Sequence, residues 1–107
     1  MADFVKVANK SDLASGQGKV VEVEGRAIAL FNCRGEFFAM DNVCAHRGGP
    51  LGDGYVDCNN RTVQCPWHQL IYELPTGVSL TNSLAPLARV ETFEVVVEGE
   101  DITVSLE

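Results

Sequence analysis

The chain has 107 residues, 46% of them apolar and 21% charged, with a net charge of −7, the balance of one ordinary globular domain. No apolar run approaches the roughly 20 residues that span a bilayer, and Met1-Ala2-Asp3-Phe4-Val5-Lys6 has no basic segment followed by an apolar stretch. Membrane insertion and a secretory leader are therefore not expected, nor is a nucleic-acid partner, which needs a basic face; a monomer in the cytoplasm is.

Strand patterns dominate. Lys19-Val20-Val21-Glu22-Val23-Glu24 alternates polar and apolar residues, as a half-buried strand does. Ala27-Ile28-Ala29-Leu30-Phe31 is a short apolar run, Arg34-Gly35 reads as a hairpin turn, and Glu36-Phe37-Phe38-Ala39-Met40 follows as its second strand. Arg61 to Cys65 and Gln69 to Glu73 are two further strands. Thr92 to Val97, a turn at Gly99 and Asp101 to Leu106 form an antiparallel hairpin. Helix signals are confined to one capped turn at Ser11-Asp12-Leu13-Ala14. The fold class is thus all-β, an antiparallel sandwich or small barrel.

Two stretches interrupt the strands, Val43 to Gly54 with four glycines and Pro50, and Pro66 to Gln69. At these stretches stand both histidines of the chain, each just after a cysteine: Cys44-Ala45-His46, then 18 residues, then Cys65-Pro66-Trp67-His68. Such short spacings let one loop present two ligands to one metal centre. Zinc takes a Cys₂His₂ set tetrahedrally. A [2Fe–2S] cluster takes two thiolates on one iron and two imidazoles on the other. Zinc fingers usually pair Cys with Cys and His with His along the chain. Here each loop offers one of each, which suits a two-iron centre. Gly48 and Gly49 allow close backbone approach, Pro50 and Pro66 stiffen the loops, and Leu51 and Leu70 could shield the centre from water.

Cys44-Ala45-His46-Arg47-Gly48-Gly49-Pro50-Leu51 and Cys65-Pro66-Trp67-His68 closely resemble the two boxes of Rieske-type ferredoxins. Gly35 to Asn42, Gly52-Asp53-Gly54 and Thr76-Gly77 match further family positions. The resemblance spans nearly the whole chain. It implies one Rieske domain over residues 1–107, a β-sandwich base with an inserted cluster-binding subdomain at about 44–75, holding one [2Fe–2S] cluster. It also implies that Cys44 and Cys65 hold a buried iron and His46 and His68 an outer one.

Rieske proteins of respiratory and photosynthetic complexes usually carry a second cysteine in each box, bridging the loops, and a serine two residues after the second histidine. The matching positions here are Gly49, Trp67 and Leu70. Tyr72 does match a tyrosine of those proteins. Fewer donors at the cluster imply a potential near the low end of the Rieske range. This type resembles the small ferredoxins of aromatic-ring dioxygenase systems, which pass electrons from a flavin-dependent reductase to a terminal oxygenase. The chain would be the carrier and not an enzyme, because both histidines are committed to the cluster and no mononuclear iron site remains. Gly16-Gln17-Gly18 lacks the third glycine of a dinucleotide fingerprint. The alternatives are an electron-input subunit of another redox enzyme, such as a nitrite reductase, and a zinc-stabilised interaction module.

Cys33 reads as a small core residue and Cys58 as an incidental loop residue, with a redox-sensing pair as the alternative; cytosolic cysteines are not expected to form disulfides. Trp67 is expected to pack beside the cluster, and Arg47 either contacts a partner or is solvated. Glu91, Glu94, Glu98, Glu100, Asp101 and Glu107 form an acidic end without Lys or Arg, a solvated face or a docking surface for a basic partner.

Overall fold

The computed structural model describes residues 4–42, 50–66, 71–78, 80 and 90–106. Among the described residues nine strands follow one another: β1 (Phe4–Asn9), β2 (Gln17–Val23), β3 (Arg26–Cys33), β4 (Glu36–Asp41), β5 (Tyr55–Asp57), β6 (Thr62–Gln64), β7 (Ile71–Glu73), β8 (Thr92–Glu98) and β9 (Asp101–Ser105). Short 3₁₀ turns stand at Lys10–Asp12 and Leu51–Asp53. Among the described residues no helix is long and apolar enough to cross a membrane.

The strands form two antiparallel sheets. One has six strands in the order β1-β9-β8-β4-β3-β2, and the other has three in the order β5-β6-β7. The edge strands β1 and β2 come back into contact, so the larger sheet curls toward a barrel. The chain leaves this sheet after β4, builds the small sheet, and returns as β8, which pairs with β4 at Ala39↔Phe93 and Met40↔Thr92. The small sheet is therefore an insertion between two neighbouring strands.

Two tight turns set the register of the large sheet. Glu24-Gly25 joins Val23 to Arg26, and Arg34-Gly35 joins Cys33 to Glu36. Both central residues of each turn have positive φ: 50° and 82° in the first, 56° and 89° in the second. This is the twist that matches right-handed strands, and glycine at the second position adopts it without steric cost.

β3 explains its own composition. Ile28 and Leu30 face one core, with Val21, Val23, Ala39, Phe93, Ile102 and Val104, inside the curl of the large sheet. Ala29, Phe31 and Cys33 face a second core, with Met40, Leu51, Val63, Cys65, Tyr72 and Leu74, between the two sheets. A strand buried on both faces reads as a continuous apolar run. Asn32 is the polar exception: its side-chain Nδ2 donates to the Leu13 carbonyl at 2.7 Å, and its Oδ1 accepts from the Gly35 N–H at 2.9 Å. A buried amide satisfied in this way stabilises the β3–β4 turn instead of costing desolvation energy.

Seven strands match the sequence reading to within a few residues. The expected capped turn is present as Lys10–Asp12, with the Asn9 N–H donating to the Asp12 carboxylate at 3.0 Å. β1 and β5 were not expected. β1 is an edge strand paired to β9, with Val5 and Val7 turned partly inward and Lys6 outward, so it carries a short alternation. β5 is three residues long, too short to show a period.

Candidate metal centre

The first ligand-bearing segment is closed at its base. The Leu51 N–H donates to the Asn42 carbonyl at 2.9 Å. The Gly52 N–H donates to Asn42 Oδ1 at 2.7 Å. The chain thus leaves β4 and returns, after eight intervening residues, to the same point. The second segment is closed by strand pairing, since Gln64 on β6 faces Ile71 on β7.

These two necks touch. Gly54 accounts for their approach: its N–H donates to the Leu51 carbonyl at 2.9 Å. A Cβ added there would collide with the Gln64 carbonyl oxygen and come within 3.0 Å of both the Leu51 carbonyl oxygen and the Val63 side chain. A glycine is needed for backbone to pass this close to backbone. Gly52 plays a related part against β2, where a Cβ would press on Val20. Two loops rising from adjoining necks can supply ligands to one centre.

Cys65 is the ligand candidate within the described residues. It follows β6 directly, is 1% exposed, and shares the inter-sheet core with Leu51, Val63 and fully buried Tyr72. Cys44, His46 and His68 lie outside the described residues, as do Arg47, Gly48, Gly49, Trp67 and Leu70. Among the described residues no group of three or more Cys, His, Asp or Glu gathers. Cys65 has the burial and the position of a cluster ligand. A thiolate ligand held in that apolar core would need a compensating cation, which iron would supply. Leu51, expected to shield the centre, is fully buried against the same core.

One expectation is overturned. Cys33 and Cys58 are disulfide-bonded, with their Cα atoms 5.2 Å apart. Cys33 is a core residue as read, at 4% exposure, but Cys58 is its partner and not an incidental loop residue. Their sequence separation of 25 hid the pairing, which depends on how the small sheet lies against the β3–β4 turn. The acidic hairpin runs away from the first neck. Thr92, at the start of β8, pairs with Met40 near the first neck. The Gly99-Glu100 turn is at the other end of β8, about 20 Å of extended strand away, where Glu100 accepts from the Lys10 N–H at 2.8 Å and Asp101 pairs with Lys6 at 3.1 Å.

The β5–β6 turn is held by Asp57. Asn60 donates to it from its side chain at 2.9 Å, and the backbone N–H of Asn59 does so at 3.0 Å. The Asn60 side chain, with these backbone bonds, holds the Asp57 carboxyl below its ordinary value.

A model of the Rieske [2Fe–2S] domain family matches residues 3–103. The chain belongs to this family, whose domain carries a [2Fe–2S] cluster. The ferredoxin component of the naphthalene 1,2-dioxygenase system of Pseudomonas putida is 32% identical over 104 residues, covering 96% of this chain and 95% of its own. Relatives of this kind are electron-transfer components and not catalytic subunits. The solved ferredoxin of carbazole 1,9a-dioxygenase from Nocardioides aromaticivorans IC177 is 25% identical, covers 97% of this chain and 98% of its own, and superposes with a TM-score of 0.88. A protein from Mycobacterium tuberculosis described as an NADH-dependent nitrite reductase small subunit is 25% identical, covers 100% and 97%, and gives a TM-score of 0.89.

Proposed function

We propose that this chain is a one-electron carrier that passes electrons from a flavin-dependent reductase to a terminal Rieske-type oxygenase. One observation carries the reading: buried Cys65 sits at the point where two clamped loop necks meet, and each of those loops carries one Cys and one His. When bound, the cluster supplies reversible storage of one electron. Cys44 and Cys65 would hold one iron as thiolates, and His46 and His68 the other as imidazoles, one cluster per chain. The second ring nitrogen of each histidine would then be free to bind a proton or to donate to a partner's acceptor. Leu51 and Tyr72 keep water from the Cys65 side. We read residues 1–107 as a single domain with the cluster-binding part at about 44–75, acting as a monomer in the cytoplasm.

The names of the relatives support an oxygenase partner, and the retained ligand set supports a working redox centre. The purified protein should be red-brown, with iron and acid-labile sulfide in equal amounts. It should be reduced by a flavin reductase and reoxidised by a ring-hydroxylating oxygenase. Colourless protein with one zinc would falsify the cluster. A second reading, the electron-transfer subunit of a nitrite reductase, is favoured by the fold match to the mycobacterial protein. Reoxidation by a nitrite-reducing catalytic subunit, and not by the oxygenase, would select it.

The potential follows from the donors. The positions of a serine donor and a bridging cysteine pair are Leu70, Gly49 and Trp67, so the charge added on reduction is poorly stabilised. Rieske potentials run from roughly −150 to +300 mV. Protein-film voltammetry should place this one near the lower limit, and a value above about +100 mV on that scale would contradict the assignment.

A further inference from the structure

The Cys33–Cys58 bond joins the two sheets. Cys33 ends β3 in the large sheet, and Cys58 follows β5 in the small one. Around it the β3–β4 turn docks on the β5–β6 turn through exposed groups. Arg34 Nη2 donates to Asn59 Oδ1 at 2.6 Å, and Arg61 Nη2 donates to Glu36 Oε2 at 2.6 Å. The Arg61 guanidinium also lies over the Phe38 ring, 5.2 Å from its centre. The side chains of Arg61 and Glu36 are 45% and 56% exposed. Exposed pairs of this kind hold weakly and are screened by salt. The covalent bond is therefore the strong tie at this end of the seam.

Its place in the small sheet is informative. In the β5–β6 hairpin, Asp57↔Thr62 is the pair next to Cys58, and Tyr55↔Gln64 is the pair next to Cys65. The disulfide and the buried ligand candidate stand at opposite ends of one hairpin, three residue pairs long. The two sulfurs differ in access. Cys33 is 4% exposed, whereas Cys58 is half-buried, the more accessible residue of the two. The reduced form is also accommodated: Cys58 Sγ lies 3.8 Å from the Asn32 carbonyl oxygen, an acceptor for a thiol proton.

We propose that Cys33 and Cys58 are a reversible dithiol–disulfide clasp, which stiffens this end of the seam between the sheets when closed and loosens it when opened by thiol–disulfide exchange with a small thiol such as glutathione. To open it, a thiolate attacks Cys58 Sγ, the sulfur–sulfur bond breaks, and Cys33 leaves as a thiolate that takes up a proton. A second thiolate then attacks the mixed disulfide at its own kind of sulfur and releases Cys58. Two small thiols are oxidised to their disulfide, and the protein disulfide is reduced to two thiols, with protons and electrons balanced. Closing is the reverse, with Cys58 attacking first because it is the accessible sulfur. Both cysteines remain within bonding reach when reduced, because β3 and the Asp57 turn are held by their own hydrogen bonds.

The holoprotein, equilibrated anaerobically in glutathione buffers of graded ratio, acid-quenched, alkylated and mapped by peptide mass, tests the clasp. Cys33 and Cys58 should convert together, in one two-electron step inside the range of the buffers. The closed form should melt higher than the open form by roughly 10 °C. The C33S/C58S variant should melt like the open wild type in every buffer. Cysteines that stay labelled at the most oxidising ratio would overturn the proposal. So would a bond that survives the most reducing ratio, or equal melting of the two wild-type forms, which needs no variant to fold.

Discussion

Replacing His68 by Cys should leave the β-scaffold folded and remove the Rieske signature. The substitution exchanges a neutral imidazole for a thiolate and adds one negative charge to the cluster in both redox states. All-thiolate clusters of the plant type lie near −400 mV, against about −150 mV for the lowest Rieske centres. A cluster that survives with three thiolates should therefore move down by on the order of 100 mV. The scaffold is insulated from the change. His68 falls between β6 and β7, whose pairing at Gln64↔Ile71, Val63↔Tyr72 and Thr62↔Glu73 closes the segment from below. Far-ultraviolet circular dichroism should be unchanged, while visible and electron paramagnetic resonance spectra change or vanish. An unaltered spectrum and potential would mean that His68 is not a ligand.

Gly54→Ala should have the second large effect, for a different reason. The new methyl group has no free space, because it meets the Gln64 carbonyl oxygen on one side and the Leu51 carbonyl and Val63 on the other. Backbone cannot yield as a flexible side chain can. Overpacking of this kind costs about 1–3 kcal/mol. Either the β5–β6 pairing or the Leu51 neck must shift, and each bears on a ligand loop. Urea unfolding should show the loss in stability, and iron content per chain should fall with it. The control is Val97→Ala, at an exposed position, where a change within about 0.5 kcal/mol is expected. A G54A protein as stable and as iron-rich as the parent would show that the two necks are not coupled through this residue.

Much of this molecule is legible in its sequence, in proportion to how local each feature is. The β3–β4 and β8–β9 hairpins are set by short turns, and both were readable from Arg34-Gly35 and Gly99. The Cys and His pattern stands out because such chemistry requires both at short spacing within each loop, and of the four residues the structure describes Cys65. What escaped is what depends on contact across distance. β1 takes its strand character from β9, nearly a hundred residues later in the chain. The Cys33–Cys58 bond exists only once the inserted sheet has folded back onto the hairpin that precedes it. The acidic run at the end was correctly seen as charged, but charge carries no address. Only the order of strands shows that its turn points away from the necks. Gly54 was visible as a family-like glycine, yet its reason, the passage of one carbonyl past another chain, belongs to three dimensions.

The neck at Asn42 has a bearing on how such proteins diversify. Asn42 is tied to Leu51 and to Gly52 by two hydrogen bonds, so the closure of the segment between them is fixed from the scaffold side. Doubling the length of a closed flexible segment costs only about 0.6 kcal/mol. Insertions and wholesale exchanges between these two posts should therefore be nearly silent for the strands beneath. A new partner preference could arise by lengthening or rewriting what lies between the posts. The same junctions are the natural places to cut and join when one carrier's tip is grafted onto another's body.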